Sequence, residues 1–121
     1  MTPTKLVKTA VDALDDIKAR DVTILDVRKL TSLFDTMIIA TAESHRQVKA
    51  LARHVRDKLT AIGATIVGVE GEESGEWVLV DAGDIVVHIM QPAVRAHYNL
   101  EELWAPPAAK RRAKVADRAA A

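Results

Sequence analysis

Two carboxylates, Asp81 and Asp84, flank a short turn between two apolar runs, and their spacing is the best candidate for chemistry in the sequence. Carboxylates at a hairpin turn can hold Mg2+ for phosphoryl transfer. Nucleotidyltransferases of this kind also need a Gly-Ser phosphate loop and a third carboxylate, and the nearest segment, Ala42-Glu43-Ser44, has no glycine. An Mg2+-dependent nucleotidyltransferase-like enzyme using Asp81 and Asp84 is therefore the alternative interpretation. The preferred one is a protein with no catalytic residue.

The other residue types that serve metals and catalysis show no productive pattern. The chain has no cysteine, which excludes a disulfide framework and a thiolate metal site. It also has no GxGxxG, P-loop, HExxH or GxSxG motif. The histidines lack metal-ligand spacing, so no metal and no cofactor is predicted: His45, His54, His88 and His97.

A β-hairpin is expected to carry the two carboxylates. Its strands are Glu76–Ala82 and Asp84–Gln91, which are rich in β-branched residues and joined by a tight turn. If Asp81 pairs with Asp84, Trp77 lies opposite His88. Because side chains alternate along a strand, one face is aliphatic and belongs to the core: Val78, Val80, Ile85, Val87 and Ile89.

The opposite face of the hairpin is mixed and has two interpretations. It carries Trp77, Leu79, Asp81, Asp84, Val86, His88 and Met90. If helices cover this face, its polar groups need hydrogen-bond partners. If the face is open, it is an apolar patch with a tryptophan anchor and an acidic rim, which is typical of a protein-binding site. The pattern alone favours neither.

The remaining elements are predicted from apolar periodicity. Helices are expected over residues 3–20 and 44–62, with a short helical segment from Pro92 to Trp104, and strands at Val22–Val27, Phe34–Thr41 and Ala64–Glu70. This order indicates one α/β domain with a mixed β-sheet of about five strands and helices packed on it. Helices on one side of the sheet would leave part of the other side open.

The second helix shows both ends and a charged ridge. Ser44 and Gln47 fit a capping box at its start, and Gly63 is expected to stop it. Four basic residues recur at three- and four-residue spacing: Arg46, Lys49, Arg53 and Arg56. This ridge is either a solvated face or a contact to the phosphate backbone of RNA.

Charge is distributed unevenly along the chain, although its net charge is zero. Residues 70–104 hold eight acids and one arginine, whereas residues 106–121 form a basic tail that is expected to be mobile. An acidic segment between basic ones suggests a partner with its own patterned charge, and it does not favour contact of this segment with naked nucleic acid. No apolar run approaches the roughly 20 residues that cross a bilayer. We therefore expect a cytoplasmic protein without a membrane contact.

Residues along the whole domain resemble one family. The chain is similar to the ribosomal silencing factor family, also called Iojap-related. The residues that carry this resemblance are Glu70-Gly71, Gly75, Trp77-Val78-Leu79-Val80-Asp81 and Gly83-Asp84-Ile85-Val86-Val87-His88, followed by Arg95, Tyr98, Leu100-Glu101 and Leu103-Trp104. Asp26-Val27, Phe34-Asp35 and Ser44-His45-Arg46-Gln47-Val48 agree as well. Departures are Ala42-Glu43-Ser44, where the family usually has Gly-x-Ser, and Ala82 and His97, where aromatics are common. The resemblance covers about residues 4–105, and residues 1–105 are expected to form one ribosomal silencing factor domain.

The resemblance implies a function. Members of the family have a nucleotidyltransferase-like fold without the catalytic site, and they bind the large ribosomal subunit through ribosomal protein fourteen. They block joining of the small subunit and repress translation under nutrient limitation. A homodimer off the ribosome is a further expectation. The predicted partner-binding residues are Glu70, Glu73, Trp77, Leu79, Asp81, His88, Met90, Arg95 and Tyr98, with the basic ridge touching rRNA.

Overall fold

Nine helices and strands follow one another in residues 3–104, the part of the chain that this computed structural model describes. They are α1 Pro3–Asp16, β1 Arg20–Asp26, β2 Thr36–Thr41, α2 His45–Ala61, β3 Gly68–Glu70, β4 Trp77–Asp81, β5 Ile85–Met90, α3 Pro92–Tyr98 and α4 Leu100–Trp104. None of these helices is both long and apolar enough to cross a bilayer. The predicted mobile tail lies outside the described residues.

The five strands form one mixed sheet in the order β1-β2-β5-β4-β3. The central pair, β2 and β5, is parallel, and the other neighbours are antiparallel. The predicted α/β architecture with a mixed five-stranded sheet is therefore confirmed. β2, β3, β4 and β5 are each shorter than predicted, whereas β1 begins two residues earlier and ends one residue earlier than predicted. β3 is shortened most, to Gly68–Glu70, although the Val67 amide still donates to the Asp81 carbonyl.

The helices α1 and α2 pack on one face of the sheet. α2 lies over β4 and β5, while α1 contacts α2, β1 and β5. The aliphatic hairpin residues point into this layer as predicted, and all are fully buried: Val78, Val80, Ile85, Val87 and Ile89. Each fully buried aliphatic side chain of this size contributes about 1.5–3 kcal/mol relative to exposure.

α1 ends four residues before its predicted end. Lys18 adopts a left-handed conformation with φ of 61°, and the amides of Lys18 and Ala19 donate to the carbonyls of Asp15 and Leu14. These bonds form a Schellman motif, which usually places glycine where Lys18 stands. α2 ends by the same motif, here with the predicted Gly63.

The hairpin register differs from the prediction by two residues. Trp77 pairs with Met90 and Leu79 pairs with His88, so the prediction that Trp77 lies opposite His88 is wrong. A shift of two residues leaves every side chain on its original face, and both face assignments survive. The turn is correspondingly wider: the Ala82 amide donates to the Ile85 carbonyl, and the Asp81 carboxylate accepts from the Gly83 amide.

A second layer covers part of the mixed face. The segment after β5 is broken into two helices at Asn99, which has a left-handed backbone. Val94 of α3 and Leu100 of α4 pack on a small cluster whose buried members are Val27, Met37, Ile39 and Met90. Two short helices therefore lie on the second side of the sheet, and they leave part of that side open.

Two glycines with similar backbone angles provide a matched stability test. Gly71 has φ of 87°, and a Cβ there would lie 2.1 Å from the Trp77 carbonyl oxygen. Gly83 has φ of 84°, and a Cβ there meets nothing within 4 Å. We expect Gly83→Ala to lower the free energy of unfolding by about 1–2 kcal/mol through backbone strain. Gly71→Ala should cost about 1–3 kcal/mol more because β4 must shift.

Urea denaturation of both variants measures this difference. Equal losses of stability would show that the backbone of Gly71 does not lie against β4 as described.

Candidate protein-binding site

Four exposed glutamates lie at the end of β3 and on the loop that connects it to β4, a segment hereafter called the acidic loop: Glu70, Glu72, Glu73 and Glu76. The loop is held by its own backbone and by β5. The Gly75 amide donates to the Gly71 carbonyl, and the Gln91 side chain donates to the Gly75 carbonyl at 3.1 Å. Among residues 3–104, none of the four glutamates forms a salt bridge. Their charge is therefore available to a partner.

Beside the acidic loop, Trp77 is half-buried in a group of aromatic rings. Its indole Nε1–H donates to His88 Nδ1 at 2.9 Å. The Tyr98 ring lies 4.9 Å from the indole, centre to centre, and Tyr98 is 55% exposed. Trp77 is thus neither fully open nor enclosed: α3 covers one side of the ring, and the other side meets solvent.

An open pocket of about 280 Å³ lies on the free side of the indole. Trp77, Leu79 and His88 provide its walls, and Glu70 and Gly71 provide its rim. Leu79 is half-buried, so it adds accessible apolar surface next to the indole. This pocket can accept an apolar or aliphatic side chain whose outer end carries positive charge, because the acidic loop borders it.

His88 holds the indole of Trp77 and forms part of the pocket wall. It is 8% exposed, and desolvation by burial lowers its pKa to about 4, so the ring is neutral near pH 7. The indole can only donate, so Nδ1 must accept and the ring proton lies on Nε2. His88 therefore orients the indole, and its contact with a partner stays a prediction.

Two other predicted contact residues have side chains that the fold itself encloses. Met90 is 1% exposed, and its side chain lies in the cluster under α3 and α4. The Arg95 guanidinium donates to Glu101 at 2.7 Å and to the hydroxyls of Thr41 and Thr23. Because the Met90 and Arg95 side chains are enclosed, they offer a partner little surface in this arrangement.

Asp81 and Asp84 occupy different environments at the hairpin turn. The Asp81 carboxylate is half-buried and holds the turn through the Gly83 amide, whereas Asp84 is exposed. Across residues 3–104, no group of three or more His, Cys, Asp or Glu could hold a metal ion. No observation in this part of the chain favours the enzyme alternative, and Asp81 acts as a turn residue.

The basic ridge of α2 lies next to the acidic loop. Ser44 caps the helix by accepting from the Gln47 amide at 3.1 Å, as predicted. Arg46, Lys49 and Arg53 are exposed and have no ion-pair partner among the described residues, whereas Arg56 is 3.8 Å from Asp57. Lys49 packs against Gly75 of the loop. The two charged surfaces are therefore adjacent.

Gln91 and Glu101 are the positioning residues that the sequence analysis missed. Gln91 follows β5 and anchors the acidic loop, and Glu101 on α4 binds Arg95. Neither carries a local signal, because each acts through a residue that only the fold brings near.

The pKa of His88 makes stability depend on pH. In the folded chain its pKa is about 4, below the ordinary value of 6.5, so the unfolded chain binds the extra proton first as pH falls. We expect the His88 contribution to be complete above pH 6.5 and to fall by up to about 3 kcal/mol as pH drops to 4.

The check is the free energy of unfolding of wild type and His88→Gln, measured by urea denaturation between pH 4 and 7. The difference between the two proteins should change with pH, since the other histidines are common to both. Parallel curves would contradict the buried, neutral state of His88.

Comparison with known proteins agrees with this arrangement. The family model described as "Ribosomal silencing factor during starvation" matches residues 1–121. The chain is 63% identical over 97 residues, 80% of each chain, to a Chromobacterium violaceum protein named "Ribosomal silencing factor RsfS". A crystal structure of a protein from that organism superposes with a TM-score of 0.85 at 60% identity, covering 86% of this chain and 87% of that one.

A more distant relative comes from the mouse. It is named "Mitochondrial assembly of ribosomal large subunit protein 1" and is 30% identical over 97 residues, which are 78% of this chain and 42% of the mouse protein. The match over the full chain and the high identity to a bacterial relative leave no ambiguity about the family. This chain belongs to the ribosomal silencing factor family.

Proposed function

We propose that this protein binds the large ribosomal subunit in the cytoplasm through ribosomal protein fourteen and blocks joining of the small subunit. Translation is thereby repressed when nutrients are limiting. One observation carries the proposal: Trp77 and Leu79 are half-exposed beside four glutamates that have no salt bridge within residues 3–104. Membership of the family and the name of the mouse relative support the same target.

Charge and apolar contact have separate roles in this mechanism. Ribosomal proteins are basic, so the acidic loop attracts and orients the partner and raises the association rate. The indole and Leu79 then lose water in the centre of the contact, and such aromatic anchors carry most of the binding free energy. No covalent step is required, since a bound protein of this size excludes the small subunit by its volume.

The basic ridge adds a second contact. Arg46, Lys49 and Arg53 project from α2 next to the acidic loop, so a protein docked through the loop presents them to its surroundings. On a ribosome those surroundings include rRNA phosphates, which bind lysine and arginine without reading sequence. Arg56 contributes less because it is half-buried near Asp57.

A homodimer off the ribosome is compatible with the same site. The surface around Trp77 is apolar enough to be covered by a second copy. A dimer formed in this way competes with the ribosome, because both partners require the indole and Leu79.

Charge reversal tests the acidic loop directly. We expect Glu70→Lys combined with Glu73→Lys to weaken binding to the large subunit by about thirtyfold, equivalent to about 2 kcal/mol. The matched control is Asp12→Lys combined with Asp15→Lys, which reverses two exposed acids on α1, outside the acidic loop and the basic ridge. The control should bind normally, and both double variants should unfold at similar urea concentrations.

The measurement is cosedimentation with isolated large subunits, followed by a subunit-joining assay. Wild type should migrate with the large subunit and reduce the amount of joined ribosomes. Comigration with intact ribosomes that remain joined would disprove the blocking mechanism.

The basic ridge is tested by salt dependence. Arg46→Ala, Lys49→Ala and Arg53→Ala together should lower the slope of log affinity against log salt by about one for each lost phosphate contact. Lys5→Ala, Lys18→Ala and Arg20→Ala together give a control that removes the same charge away from the ridge. An unchanged slope in the ridge variant would show that the ridge is only a solvated face.

A further inference from the structure

A groove of about 470 Å³ lies between α1 and the C-terminal half of β1, on the sheet face opposite Trp77. Val7, Val11 and Ile24 form its apolar surface. Ile24 is 50% exposed, an unusual state for an isoleucine in a strand that borders a helix. The helix layer therefore covers β1 only in part and leaves an apolar strip exposed at Ile24.

The backbone beside this strip is also open. β1 is the terminal strand of the sheet, and no strand of residues 3–104 pairs with its outer edge. The Val27 amide donates to the Asp35 carbonyl at 3.0 Å. This bond shows which residues at this end of β1 direct their backbone groups toward β2. By alternation, the amides and carbonyls of Ile24 and Asp26 point away from β2. The backbone donors and acceptors of these two residues are thus available to an added strand, and their side chains line the groove.

Among the charged residues that line the groove, one carboxylate has no ion-pair partner within residues 3–104. Lys8 pairs with Asp12 at 3.0 Å, and Arg28 pairs with Asp26 at 2.7 Å. Asp35 also lines the groove and is half-buried. Arg28 interacts with it only through space, and within residues 3–104 no donor bonds its carboxylate. A cationic side chain is the complement of this residual charge.

We propose that the α1–β1 groove is a second binding site, which takes an extended peptide segment of a partner protein as an added strand on β1. The segment places an aliphatic side chain over Ile24 and a lysine or arginine beside Asp35. Strand addition of this kind takes its affinity from backbone bonds and its specificity from alternate side chains. The site is independent of the ribosome contact, because the Trp77 face lies on the other side of the sheet.

The test begins with a displayed library of random peptides selected on the full chain. Enriched peptides should alternate aliphatic residues with lysine or arginine, and a synthetic copy of one should shift the NMR signals of Ile24 and its neighbours. Ile24→Glu should weaken this peptide by about tenfold or more, since it buries an unpaired charge, and Asp35→Asn by about threefold. Leu33→Glu, at an exposed position outside the groove, is the control.

A second measurement leaves the protein unchanged. N-methylation of the peptide at alternate residues removes the amides that face β1, and it should abolish binding, while methylation at the intervening residues should not. Equal binding by both methylated peptides overturns strand addition. Selection of no peptide sensitive to Ile24→Glu, or a dimer that Ile24→Glu dissociates, overturns a partner peptide as the occupant.

The outcome is separable from the ribosome proposal. Ile24→Glu should bind the large subunit like wild type, and the double reversal at Glu70 and Glu73 should bind the peptide like wild type.

Discussion

Two-sided burial of the central parallel strands is the constraint on which the rest of the molecule depends. All six residues of β5 are buried, and so are five of six in β2. A parallel pair with no solvent face must be covered above and below. α1 and α2 provide one layer completely, and the small second layer of α3 and α4 covers the other side over β2 and β5. Toward β4 that second layer ends, and the half-exposed Trp77 and Leu79 are the result.

The second layer is held in place mainly by Arg95. Its guanidinium reaches from α3 to threonines on β1 and β2 and to Glu101 on α4, and only 12% of the side chain is exposed. Arginine suits this position because its planar fork bonds several acceptors at once. By fixing α3, Arg95 also fixes Tyr98 against the indole. An arginine that touches no partner thereby determines which side of Trp77 remains open.

The fold places the acidic loop and the basic ridge next to each other. The acidic loop and the basic ridge are far apart along the chain, yet Gly75 brings the loop against Lys49 at the start of α2. Neither surface neutralises the other, because the exposed glutamates and the three basic side chains form no salt bridges within residues 3–104. Such a bipolar surface is suited to a target that itself combines a basic protein with phosphates.

The sequence by itself determined the class of fold, the two faces of the hairpin, the cap at Ser44 and the stop at Gly63. These features depend on local periodicity and capping chemistry, which neighbouring residues are enough to specify. It could not specify the hairpin register, since a shift of two residues preserves the alternation. It also could not show that Lys18 would end α1 in place of glycine.

Only the tertiary structure decided which predicted site residues meet solvent. Met90 and Arg95 fit the pattern of the site, but the second layer covers them. That layer consists of two short helices whose position depends on long-range hydrogen bonds from Arg95, and no local pattern encodes such bonds. Trp77 is likewise half-exposed because the second layer ends beside it, and the burial of a side chain depends on the neighbours that the fold brings to it.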